Sequence, residues 1–166
     1  MHLEYKPIGT IHSPHRDPVG VPIQPTGARG IRGSIEMLPE YTGGLKDLDG
    51  FSHIILLYHL HRSREYKLHV IPFLDKVKRG VFATRAPHRP NPIGLSIVQL
   101  LSIEGSTIHV EGVDILDGTP LLDIKPYLPA LNPSGNIRTG WVEKNSEGFH
   151  WKRADSRFSG ENGTKD

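Results

Sequence analysis

The chain alternates apolar and polar residues over short stretches that glycine and proline separate from one another. The clearest alternation is GIRGSIEM at residues 30–37, where Ile31, Ile35 and Met37 fall on one side of an extended strand. The most apolar stretch, FSHIILLYHL at residues 51–60, predicts a buried central strand. We expect further strands at residues 5–11, 67–72, 81–84, 95–103, 107–113 and 121–124.

Helical patterns are few. Residues 39–48 (PEYTGGLKDL) predict a helix or a helical turn, which Gly43 and Gly44 weaken. Fourteen prolines and eighteen glycines divide the chain into short pieces, and the Glu-Gly-Ser sequence at 104–106 predicts a hairpin turn between two strands. Short strands, frequent turns and few helices predict a mainly β protein, built as a barrel or a sandwich.

Length and composition predict one domain. The 166 residues suit a single core; we place the domain at residues 1–155 and expect a flexible polar tail at 156–166, which lacks apolar anchors. The chain has no cysteine, which excludes disulfides, thiolate metal ligands and a cysteine nucleophile. No apolar run approaches about 18 residues, and the start, MHLEYKPIGT, lacks the apolar segment of a secretory signal. We therefore expect a cytoplasmic protein without a membrane span.

Basic residues are clustered, although the net charge is only +2 with neutral histidines. The clusters lie at residues 61–67 and 76–89. A solvated charged surface is the simpler interpretation. A basic face that binds a polyanion at modest affinity is the alternative.

The segment GVFATRAPHRPNPIGLS at residues 80–96 carries the strongest functional pattern. Its three prolines fix the backbone and remove donors, which predicts a rigid loop between two apolar runs. Arg85 and Arg89 carry guanidinium groups that suit a carboxylate or a phosphate, His88 adds an imidazole, and Asn91 lies between two prolines. We interpret the loop as a holder for a small polar ligand; a structural loop held by arginine–aspartate pairs is the alternative.

Three other segments are candidates for binding. The Asp-Gly-Thr-Pro sequence at 117–120 has the pattern of a turn and also offers a carboxylate and a hydroxyl. Asp123 and Lys125 share one face of an extended stretch that leads to Tyr127, and a structural salt bridge is the alternative for this pair. The loop PIQPTG at 22–27 presents amide and backbone groups on a rigid frame.

The histidines and the missing motifs limit the chemistry further. His53, His59 and His61 share one parity and His69 follows them, but no acidic residue is spaced with them, so we expect no metal site and regard a metal hydrolase as a weak alternative. The chain has no GxGxxG after a strand, no GxxxxGK[ST] and no GxSxG. These absences argue against a Rossmann cofactor site, a P-loop and a hydrolase elbow.

Two long motifs in order identify a family resemblance. GVFATRAPHRPNPIGLS followed by DGTPLLDIKPYLP, with VPIQP and DGFSHIILLYHLH upstream, resembles the TsaA-like family, whose characterised members are TrmO-type tRNA N6-methyltransferases. The resemblance runs from about Ile8 to Leu128. It implies a single-sheeted β-barrel with short helical segments, S-adenosylmethionine as cofactor, and a homodimer with the cofactor site near the subunit interface. The implied substrate is tRNA carrying N6-threonylcarbamoyladenosine next to the anticodon, methylated at N6.

The resemblance also implies roles for individual residues. The implied cofactor contacts are Pro25, Thr26, Gly27, His61, Arg62, Arg85, Leu95, Asp117, Gly118, Thr119 and Pro120. The candidates for the substrate, which carries a threonyl carboxylate, are Arg89, Asn91, Lys125 and Tyr127. We expect His61 or Asp117 to act as the base, because a ureido N–H is more acidic than an amine and needs only a modest base.

The region after the barrel motifs leaves a second function open. Unlike longer bacterial members of the family, this sequence carries no sizeable domain there. A non-catalytic S-adenosylmethionine-binding or RNA-binding module on the same barrel is therefore the alternative function. We expect Trp141, Phe149 and Trp151 either to pack or to face a partner.

Overall fold

The computed structural model describes residues 3–23, 25–148 and 152–159. The described strands are β1 (Gly9–His12), β2 (Arg32–Met37), β3 (His53–His59), β4 (His69–Val70), β5 (Arg79–Gly80), β6 (Ile93–Glu104), β7 (Thr107–Glu111) and β8 (Thr119–Pro126). Six of them form a closed antiparallel barrel in the order β1–β2–β7–β6–β3–β8, and β4 pairs with β5 in a separate two-stranded sheet. The prediction of a mainly β, single-sheeted barrel is confirmed.

Closure of the barrel gives each of its strands two neighbours. In the middle of the apolar run, Ile54 of β3 lies opposite Val98 of β6 on one side and Pro126 of β8 on the other. The short strand β1 pairs with both β2 and β8. A closed barrel has no exposed edge to template pairing with another chain, which helps such short strands to remain ordered.

The alternating apolar and polar residues of the sequence face the inside and the outside of the barrel. Along β3, Ile54, Leu56 and Tyr58 are buried, and the residues between them are more exposed. They share one core with Ile35 and Ile108, which are completely buried. Burying each such side chain contributes about 1.5–3 kcal/mol, so the alternating strands supply most of the apolar driving force for the barrel.

The turn between β6 and β7 follows the sequence pattern. Gly105 has a φ of 61°, a left-handed conformation that glycine adopts at no steric cost. Glu104 and Thr107 pair on either side of it. The predicted hairpin turn is therefore confirmed.

The described helical segments are all 3-10 helices. Over residues 39–48, where a helix or a helical turn is predicted, there are two short pieces, Pro39–Leu45 and Leu48–Gly50. Between them, Asp47 has a φ of 65°. The others are Pro25–Ala28, Val81–Ala83, Pro129–Leu131, Gly140–Gly148 and Ser156–Phe158. The prediction of short helical segments is thus confirmed.

The strand predicted at residues 81–84 is wrong. Val81–Ala83 is a 3-10 turn, in which the N–H of Thr84 donates to the carbonyl of Val81 at 3.1 Å. The extended residues come just before it, in β5. Val81 is buried in a small cluster with Val70 and Ala86, so its apolar character reflects packing against the two-stranded sheet rather than membership of a strand.

Residues 152–159 pack beside the two-stranded sheet. The N–H of Ala154 donates to the carbonyl of Val21, and the carbonyl of Ala154 accepts from Gly20, both at 2.8 Å. Phe158 contacts Phe73 edge to face, with ring centres 5.0 Å apart. The first residues of the predicted tail are therefore packed. Residues 160–166, together with Phe149 and Trp151, lie outside the described residues, and the division of the chain at residue 155 stays a prediction.

In the described part of the chain, no helix has the length and apolar character needed to cross a membrane.

Candidate functional site

A cavity of about 340 Å³ lies at the end of the barrel where β3 ends and where β6 and β8 begin. It is lined by five of the predicted cofactor residues, which come from four separate segments: His61, Arg62, Arg85, Leu95 and Thr119. Arg89, predicted for the substrate, also lines it. Pockets of roughly 300–1,000 Å³ hold small organic ligands, so the fold gathers these distant residues around a volume fit for one.

His61 is held as a neutral imidazole by its neighbours. Its Nδ1 lies 3.3 Å from the hydroxyl of Thr119, which donates its own proton to the carbonyl of Leu116 at 2.7 Å. The Thr119 oxygen must then accept from Nδ1–H, which leaves a lone pair on Nε2. Burial, with Arg62 and His59 adding to it, lowers the pKa of His61. His61 can therefore accept a proton near neutral pH.

The two loop arginines bind backbone carbonyls. Arg85 donates to the carbonyl of Leu95 at 2.6 Å. Arg89 donates to the carbonyls of Val81 and Thr84 at 3.1 and 2.9 Å. Within the described residues neither arginine forms an ion pair, so arginine–aspartate pairs do not hold the loop. Arg89 fixes its shape instead, and the substrate role of Arg89 stays a prediction.

A buried polar network, which the sequence reasoning missed, forms part of the cavity wall. The hydroxyl of Ser96 donates to Oδ1 of Asp114 at 2.6 Å, and the hydroxyl of Tyr58 lies 3.0 Å from the same Ser96 oxygen. Because Ser96 has only one proton, Tyr58 donates to Ser96. Burial raises the pKa of Asp114 to about 6 and, with help from the Asp114 charge, raises that of Tyr58 as well.

One sequence signal could have revealed this network. Ser96 occupies an inward position of β6 between Gly94 and Val98, where the alternation predicts an apolar side chain. A polar side chain on a buried face needs a partner, and Asp114 supplies it. A Cβ on Gly94 would overlap the ring of Tyr58, so this glycine makes room for the tyrosine.

Asp117 supports the turn that leads into β8. Its carboxylate accepts the backbone N–H of Ser13 and lies within hydrogen-bond distance of Nδ1 of His12, both at 3.2 Å. The bond from Ser13 and then that of His12 lower the pKa of Asp117. Asp117, Gly118 and Pro120 are not among the described residues that line the cavity, and the predicted roles of these three residues stay predictions.

Thr26 and Gly27, in the turn Pro25–Ala28, are not among the described residues that line the cavity. Pro22 and Ile23, just before it, do line the cavity. The segment as a whole therefore reaches the site, while its predicted contacts stay predictions.

The remaining substrate candidates lie away from the first cavity among the described residues. Lys125 forms an ion pair with Asp123 at 2.8 Å. The hydroxyl of Tyr127 donates to the side chain of Asn132 at 2.9 Å. Asn91 is exposed. None of these side chains belongs to the described lining of the cavity, and their roles stay predictions.

The four histidines considered as metal ligands do not gather into one cluster. Over residues 3–23, 25–148 and 152–159, the structure contains no group of three or more histidine, cysteine or acidic side chains that could hold a metal ion. His53 contacts the hydroxyl of Ser52 at 3.0 Å, and His61 contacts Thr119.

A second cavity of about 370 Å³ adjoins the first. The two share Thr84 and Arg85 of the rigid loop, and also Phe73 and Phe158. Trp141 contributes a further aromatic ring to the second cavity. The rigid loop is thus a common wall between a mainly apolar cavity with several aromatic rings and the cavity that contains His61.

Known proteins resemble this chain over most of its length. The family model of the tRNA-methyltransferase O N-terminal domain matches residues 10–132. A probable S-adenosyl-L-methionine-binding protein from Pyrococcus abyssi is 53% identical over 154 residues, 93% of this chain and 84% of that protein. The tRNA (adenine(37)-N6)-methyltransferase of Mus musculus is 39% identical over 145 residues, 82% of this chain and 33% of the mouse protein. A crystal structure of TrmO aligns with a TM-score of 0.73 and 41% identity, covering 84% of this chain and 64% of the other.

The closed barrel and the polar cavity at one of its ends define a β-barrel domain that binds a small ligand outside the Rossmann class. The chain belongs to the family of tRNA-methyltransferase O N-terminal domains. It spans about a third of the mouse relative and just under two thirds of the crystallised TrmO chain, at 33% and 64%. The family resemblance drawn from the two loop motifs is confirmed.

Proposed function

We propose that this protein is an S-adenosylmethionine-dependent tRNA methyltransferase that methylates N6 of threonylcarbamoyladenosine next to the anticodon. The observation that carries the proposal is the cavity that gathers His61, Arg62, Arg85, Leu95 and Thr119 from four segments. The name of the Pyrococcus relative supports the cofactor, and the name of the mouse relative supports the tRNA adenine as acceptor.

The residues of the cavity fit this cofactor. S-adenosylmethionine carries a carboxylate, an adenosine and a sulfonium, and the cavity offers the exposed guanidinium groups of Arg62 and Arg85, apolar surface from Ile115 and Leu116, and the carboxylate of Asp114. When bound, the cofactor supplies an electrophilic methyl group on a sulfonium sulfur. In-line displacement there requires chiefly positioning and exclusion of water, which the apolar wall and the rigid loop provide.

His61 is the proposed base for the acceptor N–H. Its Nε2 keeps a lone pair because Nδ1–H is used by Thr119, and its lowered pKa keeps the ring neutral. A ureido N–H needs only a modest base. Asp117 is the weaker candidate, because Ser13 and His12 already occupy its carboxylate.

The second cavity is the proposed place for the acceptor nucleoside. It shares Thr84 and Arg85 with the first cavity, so a group held there would lie next to the cofactor. Phe73, Trp141 and Phe158 line it. Aromatic side chains contribute roughly 1–3 kcal/mol per stacked base in single-stranded nucleic acids, which suits an adenosine presented by an anticodon loop.

The proposal includes a homodimer. Ile93, Leu95 and Ile97 form an apolar stripe along the outer face of β6, and Leu101 extends it beyond the polar Gln99; each of the four is between 37% and 43% exposed. Contiguous exposed apolar surface marks interaction sites. Leu95 also lines the first cavity, so a partner seated on the stripe would lie against the cofactor. An enzyme acting on tRNA is expected in the cytoplasm.

The proposal is tested with methyl-labelled S-adenosylmethionine and tRNA, prepared with and without the threonylcarbamoyl group. Label transferred only to the modified tRNA supports the proposal. If label is transferred equally to both tRNAs, the protein is a methyltransferase, but its acceptor is not the threonylcarbamoyl nucleoside.

The alternative is a non-catalytic S-adenosylmethionine-binding module on the same barrel. The Pyrococcus relative favours it, because this chain covers 84% of a protein described only as a probable binding protein. Cofactor binding measured by calorimetry, with no label transferred to either tRNA, would support the alternative over the enzyme.

A further inference from the structure

The first cavity contains a carboxylate that forms no ion pair with any described residue. Among the described residues that line it, Asp114 and Asp155 are the acidic ones. Asp155 is paired with Arg157 at 2.7 Å. Asp114 takes part in none of the ion pairs of the described residues. Arg85, whose charge acts on Asp114, directs its guanidinium to the carbonyl of Leu95 instead.

Neutral donors hold this carboxylate in place. Ser96, itself completely buried, donates to Oδ1 of Asp114 at 2.6 Å, and Tyr58 donates to Ser96 at 3.0 Å. Gly94 leaves the space in which the Tyr58 ring lies. In the described structure no side chain donates to the other oxygen, Oδ2. The network, together with the backbone N–H of Asp114, therefore orients the carboxylate. Asp114 also lines the first cavity, where its carboxylate can meet a ligand.

An ionised carboxylate that is buried without an ion-pair partner is unfavourable, and a bound cation would stabilise it. Removing an unpaired charge from water costs several kcal/mol, and the pKa of Asp114, raised to about 6 by burial, reflects that cost. Folding alone would favour an apolar residue here. A cationic ligand would recover the lost interaction, because opposite charges attract strongly where water is scarce.

We propose that Asp114, oriented by Ser96 and Tyr58, recognises the sulfonium cation of the cofactor and so distinguishes it from the neutral thioether product. This inference rests on the cofactor of the proposed function. The cofactor also has an ammonium group, but a compact ammonium is strongly hydrated and costs more to remove from water. The sulfonium is weakly hydrated and must be kept dry, as it would be against Tyr58 and Asp114. Methyl transfer removes the positive charge, so the same contact favours release of the product.

The test compares the affinities of S-adenosylmethionine and S-adenosylhomocysteine, which share every group except the methylated, charged sulfur. Calorimetry on Asp114→Asn should show cofactor binding weakened about tenfold or more, with product binding changed by less than about twofold. Ser96→Ala, which keeps the charge but removes its orienting donor, should shift the ratio of the two affinities in the same direction by a smaller factor. Asparagine can still accept from Ser96, so the variant should fold, which a thermal melt checks.

The matched control is Glu111→Gln. Glu111 pairs with Arg32 at 3.7 Å and is not among the residues that line either cavity. This variant removes one carboxylate from the same barrel and should leave both affinities unchanged.

Four outcomes would overturn the inference. Equal weakening of both ligands in Asp114→Asn would mean that Asp114 contacts a shared group or only supports the fold. Unchanged binding of both would mean that Asp114 does not contact the ligand. If the wild-type protein binds the product but not S-adenosylmethionine, the contact is refuted; if it binds neither, the proposed cofactor fails and the inference fails with it.

Discussion

At the scale of single residues, hydrogen bonds in the cavity fix which groups carry protons. Thr119 uses its own proton on Leu116 and thereby decides the tautomer of His61. Ser96 uses its proton on Asp114 and thereby decides that Tyr58 is a donor. One neutral base and one oriented carboxylate result from two hydroxyl groups that each have a single proton to give.

The role of His61 leads to a kinetic prediction. His61→Asn retains a polar side chain next to Thr119 but removes the proton acceptor, so kcat should fall about a hundredfold or more. In the wild-type enzyme the rate should decline as the pH falls through the His61 pKa, which lies below its ordinary value. The variant should lack this acidic limb in a profile of kcat against pH. If the variant turns over as fast as wild type and its pH profile keeps the acidic limb, His61 is not the base.

Asp114 leads to a prediction about stability. Its pKa of about 6 in the folded protein exceeds that of an unfolded aspartate, so the folded state binds the proton more tightly. Ionisation of Asp114 therefore destabilises the fold above pH 6, and the loss is recovered as the pH falls toward about 4. The charge of Arg85 acts on Asp114, and Tyr58, whose pKa is raised by burial, keeps its proton over this range.

Denaturant titrations of Asp114→Asn and wild type measure this effect. The free energy of unfolding of the variant minus that of wild type should be more positive at about pH 8 than at about pH 4.5. A stability difference of equal size at both pH values would show that Asp114 does not titrate as described.

At the scale of elements, periodicity predicted the barrel strands better than the segments between them. The alternation of β2 and β3 and the turn at Gly105 are local properties, so the sequence contains them completely. The strand predicted at Val81 is wrong because a short apolar run has the same pattern in a strand as in a 3-10 turn that packs against the core.

The site was predictable only in part, for a related reason. The prolines and arginines of the rigid loop are visible in the sequence and predict a binding loop. The contact between Ser96 and Asp114 joins β6 to the segment before β8, and only the barrel register brings the two together. Long-range contacts of this kind leave one local sign, a polar residue at an inward position of a strand.

The packing of β6 against β3 leads to a prediction at this scale. Gly94→Ala would force a Cβ into the ring of Tyr58, so the free energy of unfolding should fall by about 1–3 kcal/mol. Urea unfolding measures the loss. Gly43→Ala, where a Cβ meets nothing within 4 Å, is the matched control and should be nearly neutral. Equal stability of the two variants would show that the tyrosine does not require the glycine.

At the scale of the whole molecule, the closed barrel leaves β6 with an apolar outer face that runs into the first cavity. Ile93, Leu95, Ile97 and Leu101 lie along this face, and Leu95 belongs to both the face and the cavity lining. Assembly and cofactor binding should therefore be coupled, because a ligand that binds the assembled form stabilises it.

The prediction for assembly uses Ile97→Glu. A charge in the centre of the apolar stripe should shift the protein from dimer to monomer in sedimentation velocity, and cofactor affinity should fall with it. Leu131→Glu introduces the same charge at a residue that is 61% exposed and lies outside both cavities, and it should change neither property. A wild-type protein that is monomeric at all concentrations would contradict the proposed dimer.

The central claim is that the barrel methylates N6 of threonylcarbamoyladenosine in tRNA, and nucleoside mass spectrometry tests it most directly. Modified tRNA is incubated with the protein and S-adenosylmethionine, digested to nucleosides, and compared with a reaction that lacks the protein. The account predicts that threonylcarbamoyladenosine is converted to a species one methyl group heavier, with the methyl on the N6-bearing fragment. A methyl group on any other nucleoside, or none although the cofactor binds, would contradict it.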